Sequence, residues 1–353
     1  MRGAIRLFKI ADISINIHIS FFILFLFLSL FFNMSWRWIL LIVGIFSFVT
    51  LHELAHSLVA KKFGITVKEI TLLPIGGVAS MTKIPDKPYQ EFLISLAGPL
   101  LNIGIVVIFY FPLQLILGRD VLFHPLSVKT TPLMIAHLYW INLMLAMFNL
   151  IPAFPMDGGR IVRSILAQKM GYRKATRIAV NLGHAFALIF GYIGFVQGNV
   201  YLIVIAVFIY MAASSEELQT DIRETLKRFK IKDIMPTQFL TLEKTATLSK
   251  VLELIFHSHQ EDFAVVEYGK MIGFVSRIDI INGIHQHGTT SDVSSIMKKD
   301  TPSLKETDSL EKAQSIMNEE NLRALPVFRN GNLAGVVTIE DISRVYSVMT
   351  NKQ

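Results

Sequence analysis

At 353 residues, with 52% hydrophobic and only 17% charged side chains, the chain is too apolar for an ordinary soluble enzyme. It contains no cysteine, which excludes disulfides and thiolate ligands, so any metal must be held by nitrogen and oxygen. The formal charge of +7 raises nucleic acid as a partner, but the basic residues sit in segments beside the apolar runs, where they set membrane topology. No nucleic-acid partner is expected.

The long apolar runs are confined to residues 1 to about 213, while 214–353 reads as a charged globular segment. This predicts a polytopic α-helical membrane domain in a lipid bilayer, followed by a soluble domain. Six spans are expected, at about 15–33, 38–60, 92–117, 133–151, 178–196 and 199–213. Only Gln197-Gly198-Asn199 separates the last two. The first run lacks a small-residue cleavage site and leads straight into the second, so it reads as a span rather than a cleaved signal. With the N-terminus inside, the inner segments hold fourteen Lys and Arg: Arg2, Arg6, Lys9; Lys61, Lys62, Lys68, Lys83, Lys87; Arg160, Arg163, Lys169, Arg173, Lys174 and Arg177. The outer ones hold three, Arg37, Arg119 and Lys129. The asymmetry predicts a multi-pass protein of the cell membrane with both termini in the cytosol.

The second span carries the first chemical signal. From Trp38 to Thr50 it has no charge, and the apolar run continues past His52-Glu53-Leu54-Ala55-His56 to Ala60. Helical spacing puts His52 and His56 one turn apart on one face, within reach of a single metal ion. Glu53 lies beside them, placed to take a proton from a water activated there. In a soluble helix such a box often arises by chance. Inside an apolar span a central charge costs about 2.5–3.5 kcal/mol, and a bound cation is the simplest group that offsets it.

Residues 65–91 follow. Ile65 to Leu73 is rich in β-branched residues and Pro74-Ile75-Gly76-Gly77-Val78 breaks it, which fits a short strand or hairpin at the inner face or a plain loop with a glycine turn. Exposed strand backbone there can pair with an extended peptide. In the third span, Ala97-Gly98-Pro99-Leu100-Leu101-Asn102 reads as a packing or kink motif. The fourth span ends in Asn149-Leu150-Ile151-Pro152-Ala153-Phe154-Pro155-Met156-Asp157-Gly158-Gly159-Arg160. Two prolines break the helix and two glycines free the backbone after Asp157. Asp157 then sits on irregular backbone at the depth of the two histidines, where a carboxylate fits a third ligand and leaves a fourth position for water. Alone it would be a turn residue; beside the histidine box the ligand reading prevails. Asn149 can bond a substrate carbonyl or serve a helix contact, and Asn142 reads as packing.

These motifs, HELAH, PIGG, AGPLLN and NLIPAFPMDGGR, together resemble the site-2 protease family of intramembrane zinc metalloproteases. The resemblance covers residues 1 to about 213, with four motifs in the family's order. It implies that His52, His56 and Asp157 bind one Zn2+, that Glu53 is the general base and that Asn149 supports the site. Met156 stands where the family often has leucine, a conservative change. His18, near the start of the first span, is given no catalytic role.

The tail contains a repeat at a constant offset of 62. Ile234-Met235 matches Ile296-Met297, Val265 matches Val327, Gly269 matches Gly331, Gly273 matches Gly335 and Asp279 matches Asp341. Each unit reads as helix, strand (263–267; 325–328), glycine turn, strand (272–276; 334–338), helix. The pattern resembles a pair of CBS domains, giving a soluble α/β CBS-pair domain with repeats at 231–288 and 289–353 and a helical connector at 214–230 that can pass a change in the tail to the site. The resemblance implies adenine nucleotide, ATP or AMP, as a ligand, with Ser276 and Thr338 meeting phosphate and Asp279 and Asp341 meeting ribose. It also implies a homodimer through the CBS domains. The same S/T-x-x-D pattern is a helix cap.

The sequence therefore describes a zinc metalloendopeptidase that cuts transmembrane protein substrates near the cytosolic face. The alternative is a CBS-regulated transporter or ion channel with a metal site. Glu53 between the histidines separates the two, since a transport site needs no base at that spacing.

Overall fold

The computed structural model describes residues 3–32, 36–74, 76–81, 85, 87–123, 130–236, 238–258 and 260–350. Arg2, Asn33, Ile75, Lys83 and Lys129, used in the sequence reading, lie outside them. The chain divides into two compact units, Met1–Thr220 and Asp221–Gln353.

The first unit opens with β1 (Ala4–Ile10) and β2 (Ile13–His18), then α1 (Ile19–Phe32), α2 (Trp36–Lys62), β3 (Val67–Leu73) and β4 (Gly76–Met81). The four strands form one sheet in the order β1-β2-β3-β4, with β2 parallel to β3 and Ser14 opposite Glu69. The chain thus leaves the sheet through α1 and returns to it through α2. The alternation of Ile13 and Ile15 turns both into the core with Ile70, Leu54, Ala60 and Ile65, and this cluster fixes the end of α2 to the sheet. The segment after α2 is therefore a hairpin rather than a plain loop.

The first expected span is corrected by the same pairing. Residues 15–18 belong to β2, because period-2 alternation and ladder hydrogen bonds outweigh raw hydropathy there. What remains is a helix of 14 residues, about 21 Å long against about 30 Å of bilayer hydrocarbon. Among the described residues, five helices rather than six are long and apolar enough to cross a membrane: α2, α3 (Pro88–Leu117), α5 (Thr131–Asn149), α7 (Tyr172–Gln197) and α8 (Val200–Leu226). The short α4 (Arg119–Phe123) precedes α5, and α6 (Asp157–Met170) precedes α7. Gly198, in the left-handed conformation at φ 63°, ends α7, and Asn199 Oδ1 accepts from the amides of Tyr201 and Leu202 to start α8. The hairpin then packs through small residues, Gly183 against Ala213 and Gly191 against Ala206.

The second unit holds two copies of one motif. The first has β5 (Thr241–Glu243), α9 (Leu248–His257), β6 (Phe263–Glu267), β7 (Lys270–Val275) and α10 (Arg277–His287). The second has β8 (Leu304–Lys305), α11 (Leu310–Glu320), β9 (Ala324–Arg329), β10 (Asn332–Thr338) and α12 (Ile339–Thr350). Thr247 and Ser309, equivalent by the offset, cap α9 and α11. Tyr268-Gly269 and Asn330-Gly331 turn the two hairpins, all four residues at positive φ, as a two-residue turn of this hand requires. The two cores exchange their lead segments. Ile231, ahead of the first copy, is buried with Leu304, Leu325 and Val337 of the second, whereas its equivalent Val293 is buried with Leu242, Phe263 and Val275 of the first. Ala264 and Phe274 meet Ala324 and Val336 between the copies.

This exchange has a measurable consequence. Ile231→Ala removes a fully buried side chain, at a cost of about 2–5 kcal/mol. By hydrogen exchange on the full chain, protection falls in β9 and β10 while β6 keeps its own.

Candidate metal centre

α2 presents two histidines on its buried face, His52 at 4% and His56 at 6% exposure. Their Nε2 atoms lie 3.1 Å apart, and each is 3.1 Å from Oδ2 of Asp157. His56 Nδ1 meets the carbonyl oxygen of Ile94 at 2.6 Å. A carbonyl only accepts, so Nδ1 carries the proton and the Nε2 lone pair turns toward the other two donors.

Three donor atoms at the corners of a triangle are what a tetrahedral ion requires. With ligand bonds of about 2.0–2.1 Å, neighbouring donors stand about 3.3 Å apart. The observed 3.1 Å sides match this closely, and two imidazole nitrogens with one carboxylate oxygen form a nitrogen–oxygen set suited to zinc. Among the described residues this is the group of His and acidic side chains that satisfies such spacing. Gly98 of α3 roofs the triangle: a Cβ there would lie 2.7 Å from His52 Nε2 and collide with His56 Nε2. The residue read as packing thus leaves bare backbone over the two imidazoles, where a side chain would collide with them.

Asp157 is the first residue of α6, reached through the irregular stretch Ile151–Met156, which includes a cis Phe154–Pro155 bond. Gly158 and Gly159 are helical. They do not free the backbone, as the sequence suggested, but let α6 lie against the stretch before it. A Cβ on Gly158 would strike the Ile151 carbonyl, and one on Gly159 would sit 2.5 Å from the Phe154 nitrogen. Close approach explains both glycines. Glu53 faces β4, where a Cβ on Gly77 would lie 2.7 Å from Glu53 Cγ, so the bare backbone of the hairpin passes directly by this carboxylate.

The remaining residues singled out from sequence fall as follows. Asn149 Nδ2 donates to the Leu145 carbonyl at 3.0 Å, one turn back on its own helix. Asn142 is fully buried and donates to the Asn102 carbonyl across α3 and α5, a packing contact. His18 pairs with Ser20. Sequence reasoning missed Gly98, the Ile94 carbonyl and the buried set of Arg163, Glu91 and Glu216. The single glycine of AGPLLN, inside an apolar span, hinted at the first; a main-chain carbonyl leaves no trace in composition.

In the second unit, Ser276 with Asp279 and Thr338 with Asp341 both form reciprocal caps. Ser276 Oγ meets Asp279 Oδ2 at 2.6 Å and Thr338 Oγ1 meets Asp341 Oδ2 at 2.8 Å, with the backbone amides completing each box. Lys298 also reaches Asp279 Oδ1 at 2.8 Å. Burial pushes the Asp279 carboxyl up, but the bonds from Lys298 and Ser276 outweigh it and hold the group below its usual range.

The geometry makes Gly98→Ala informative. The variant is expected to fold but to hold much less than one zinc per chain by elemental analysis, because its methyl group would press on the Nε2 atoms of both histidines.

Comparison with known proteins places the chain in a family. The family model of peptidase family M50 matches residues 40–130 and 126–190, and the CBS domain model matches 231–286 and 293–348. The zinc metalloprotease MJ0392 of Methanocaldococcus jannaschii is 38% identical over 358 residues, covering 100% of this chain and 99% of its own. The solved site-2 protease from Methanocaldococcus jannaschii is 44% identical, covering 61% of this chain and 95% of its own, with a TM-score of 0.46. The CBS domain-containing protein YhcV of Bacillus subtilis is 29% identical across 32% of this chain and 82% of its own. Identity along the whole length of a zinc metalloprotease, with the histidine box and CBS repeats in place, means that the chain belongs to peptidase family M50, as an intramembrane zinc metalloprotease carrying a CBS domain pair.

Proposed function

We propose that His52, His56 and Asp157 are the zinc ligands and that Glu53 is the general acid–base, in a site that cuts transmembrane proteins near the cytosolic face. The observation that carries this reading is the 3.1 Å donor triangle on an apolar helix, with Glu53 next in sequence to His52. Bound zinc supplies a Lewis acid and lowers the pKa of water toward about 7. Glu53 takes the proton from the attacking water, whose oxygen forms the new bond to the peptide carbon. It then delivers that proton to the amine nitrogen as the C–N bond breaks. The Asn149 amide, turning from Leu145, donates to the peptide oxygen as charge builds there.

A transmembrane helix hides its carbonyls within its own hydrogen bonds, so the substrate must be extended before it can react. β4 is one of the two edge strands of its sheet, and it carries Gly77 past Glu53. An extended segment adding to β4 would be presented to the base by backbone pairing. The cell membrane, with both termini cytosolic, is the proposed location. The excess of Lys and Arg on one set of segments supports it, as does the sheet that joins residues before α1 to residues after α2.

The proposed division is a protease domain at 1–213, a connector at 214–230 and CBS repeats at 231–288 and 289–353, which bind ATP or AMP and pair two chains. Ser276, Asp279, Thr338 and Asp341 stand at helix N-termini, which favour phosphate.

Cleavage of a single-span substrate in detergent tests the mechanism. Glu53→Gln is expected to keep one zinc per chain and to lose at least about 10²-fold in rate, and near-normal turnover would sink the assignment. Added ATP or AMP is expected to change the wild-type rate, and Asp279→Ala together with Asp341→Ala to abolish that response. An unchanged rate with no nucleotide bound by equilibrium dialysis would remove the nucleotide reading.

A further inference from the structure

Away from the donor triangle, the first unit buries a second polar cluster centred on Arg163. Its Nε donates to Glu91 Oε1 at 2.9 Å and its Nη2 donates to the same oxygen. Its Nη1 donates to Glu216 Oε1 at 2.8 Å and to Thr220 Oγ1 at 3.3 Å. The guanidinium carbon lies 4.8 Å from the centre of the Phe154 ring. The Arg163 and Glu91 side chains are each 4% exposed, and Glu91 Oε2 makes no hydrogen bond among the described residues, although the buried Arg160 also acts on Glu91 electrostatically. Buried ion pairs of this kind add little to stability over well-packed apolar residues, so net stability alone does not account for them.

That geometry converges on the metal centre. Glu91 shares a face of α3 with Ile94, whose carbonyl orients His56, and with Gly98, which roofs the triangle. Arg163 lies six residues after Asp157 on α6, and Phe154, beneath its guanidinium, belongs to the stretch that delivers Asp157. Glu216 and Thr220 hold the third side from α8. One planar fork therefore ties the helix that orients a histidine to the helix that begins with the carboxylate. We propose that Arg163 is a positioning residue for the metal centre: clamped by Glu91 and Glu216 and stacked on Phe154, it sets the distance between Asp157 and the two imidazoles. The fork is essential, because a lysine point charge cannot satisfy two carboxylates and a ring face at once.

The proposal rests on Asp157 being a ligand. Its test uses the full chain in detergent, loaded with zinc or with cobalt(II), and follows metal release into excess EDTA, the cobalt absorption bands and thermal unfolding of the metal-free protein. Arg163→Gln and Arg163→Lys are expected to release metal about tenfold faster or more and to shift the cobalt bands, the effect of losing support behind a ligand. Arg163→Lys should recover much of the metal-free Tm without recovering retention, a split that a purely structural role does not give. A folded Arg163 variant with wild-type release and spectrum overturns the proposal. Should neither variant fold, Phe154→Leu removes the ring contact and leaves the ion pairs. Faster release then supports the proposal, and wild-type release overturns it. Asp157→Asn separates the two failures: metal retained there at the wild-type level overturns the ligand assignment and the proposal with it. Metal lost there but held normally by the Arg163 variants overturns the positioning role alone.

Discussion

Two imidazoles on an apolar helix and a carboxylate from a distant segment meet within 3.1 Å, in a unit built to cross a membrane. Polar groups in such surroundings are costly unless each is bonded, and three electron-rich atoms this close repel one another unless a cation joins them. Much of the first unit serves this constraint. The sheet fixes the end of α2, α3 offers a carbonyl to one histidine and a missing side chain over both, and α6 starts at the carboxylate.

Glycine plays several distinct parts here. Gly98 leaves room for an ion, Gly77 brings bare backbone to Glu53, and Gly158 and Gly159 let a helix fold back onto its own lead-in. None of these four needs a positive φ; each is required by what stands opposite it. Gly269 and Gly331, by contrast, are glycines of conformation, set in turns whose hand other residues adopt only under strain.

The second unit shows a different economy. Two copies of one motif bury equivalent residues, yet each borrows its lead segment from ahead of the other, so neither core is complete without both. The S/T-x-x-D turns close helix ends in both copies through hydrogen bonds that any ligand would meet already formed.

The histidine box, the carboxylate, the duplication and the approximate course of the apolar helices were legible in the sequence, because each rests on local spacing: i and i+4 on a helix, an offset of 62, runs of about 20 apolar residues. What depends on pairing between distant segments was not. The first apolar run yields residues 15–18 to a sheet because β3 lies alongside them, and no window of hydropathy contains that partner. Gly98 and the Ile94 carbonyl acquire meaning only once α3 lies across α2. Arg163 reads as one more basic residue of an inner segment until α3 and α8 bring Glu91 and Glu216 to it and exclude water. Residue type and spacing determined the chemistry available to this chain; tertiary packing decided which groups share one buried site, since only contact across elements sets distance and dielectric together.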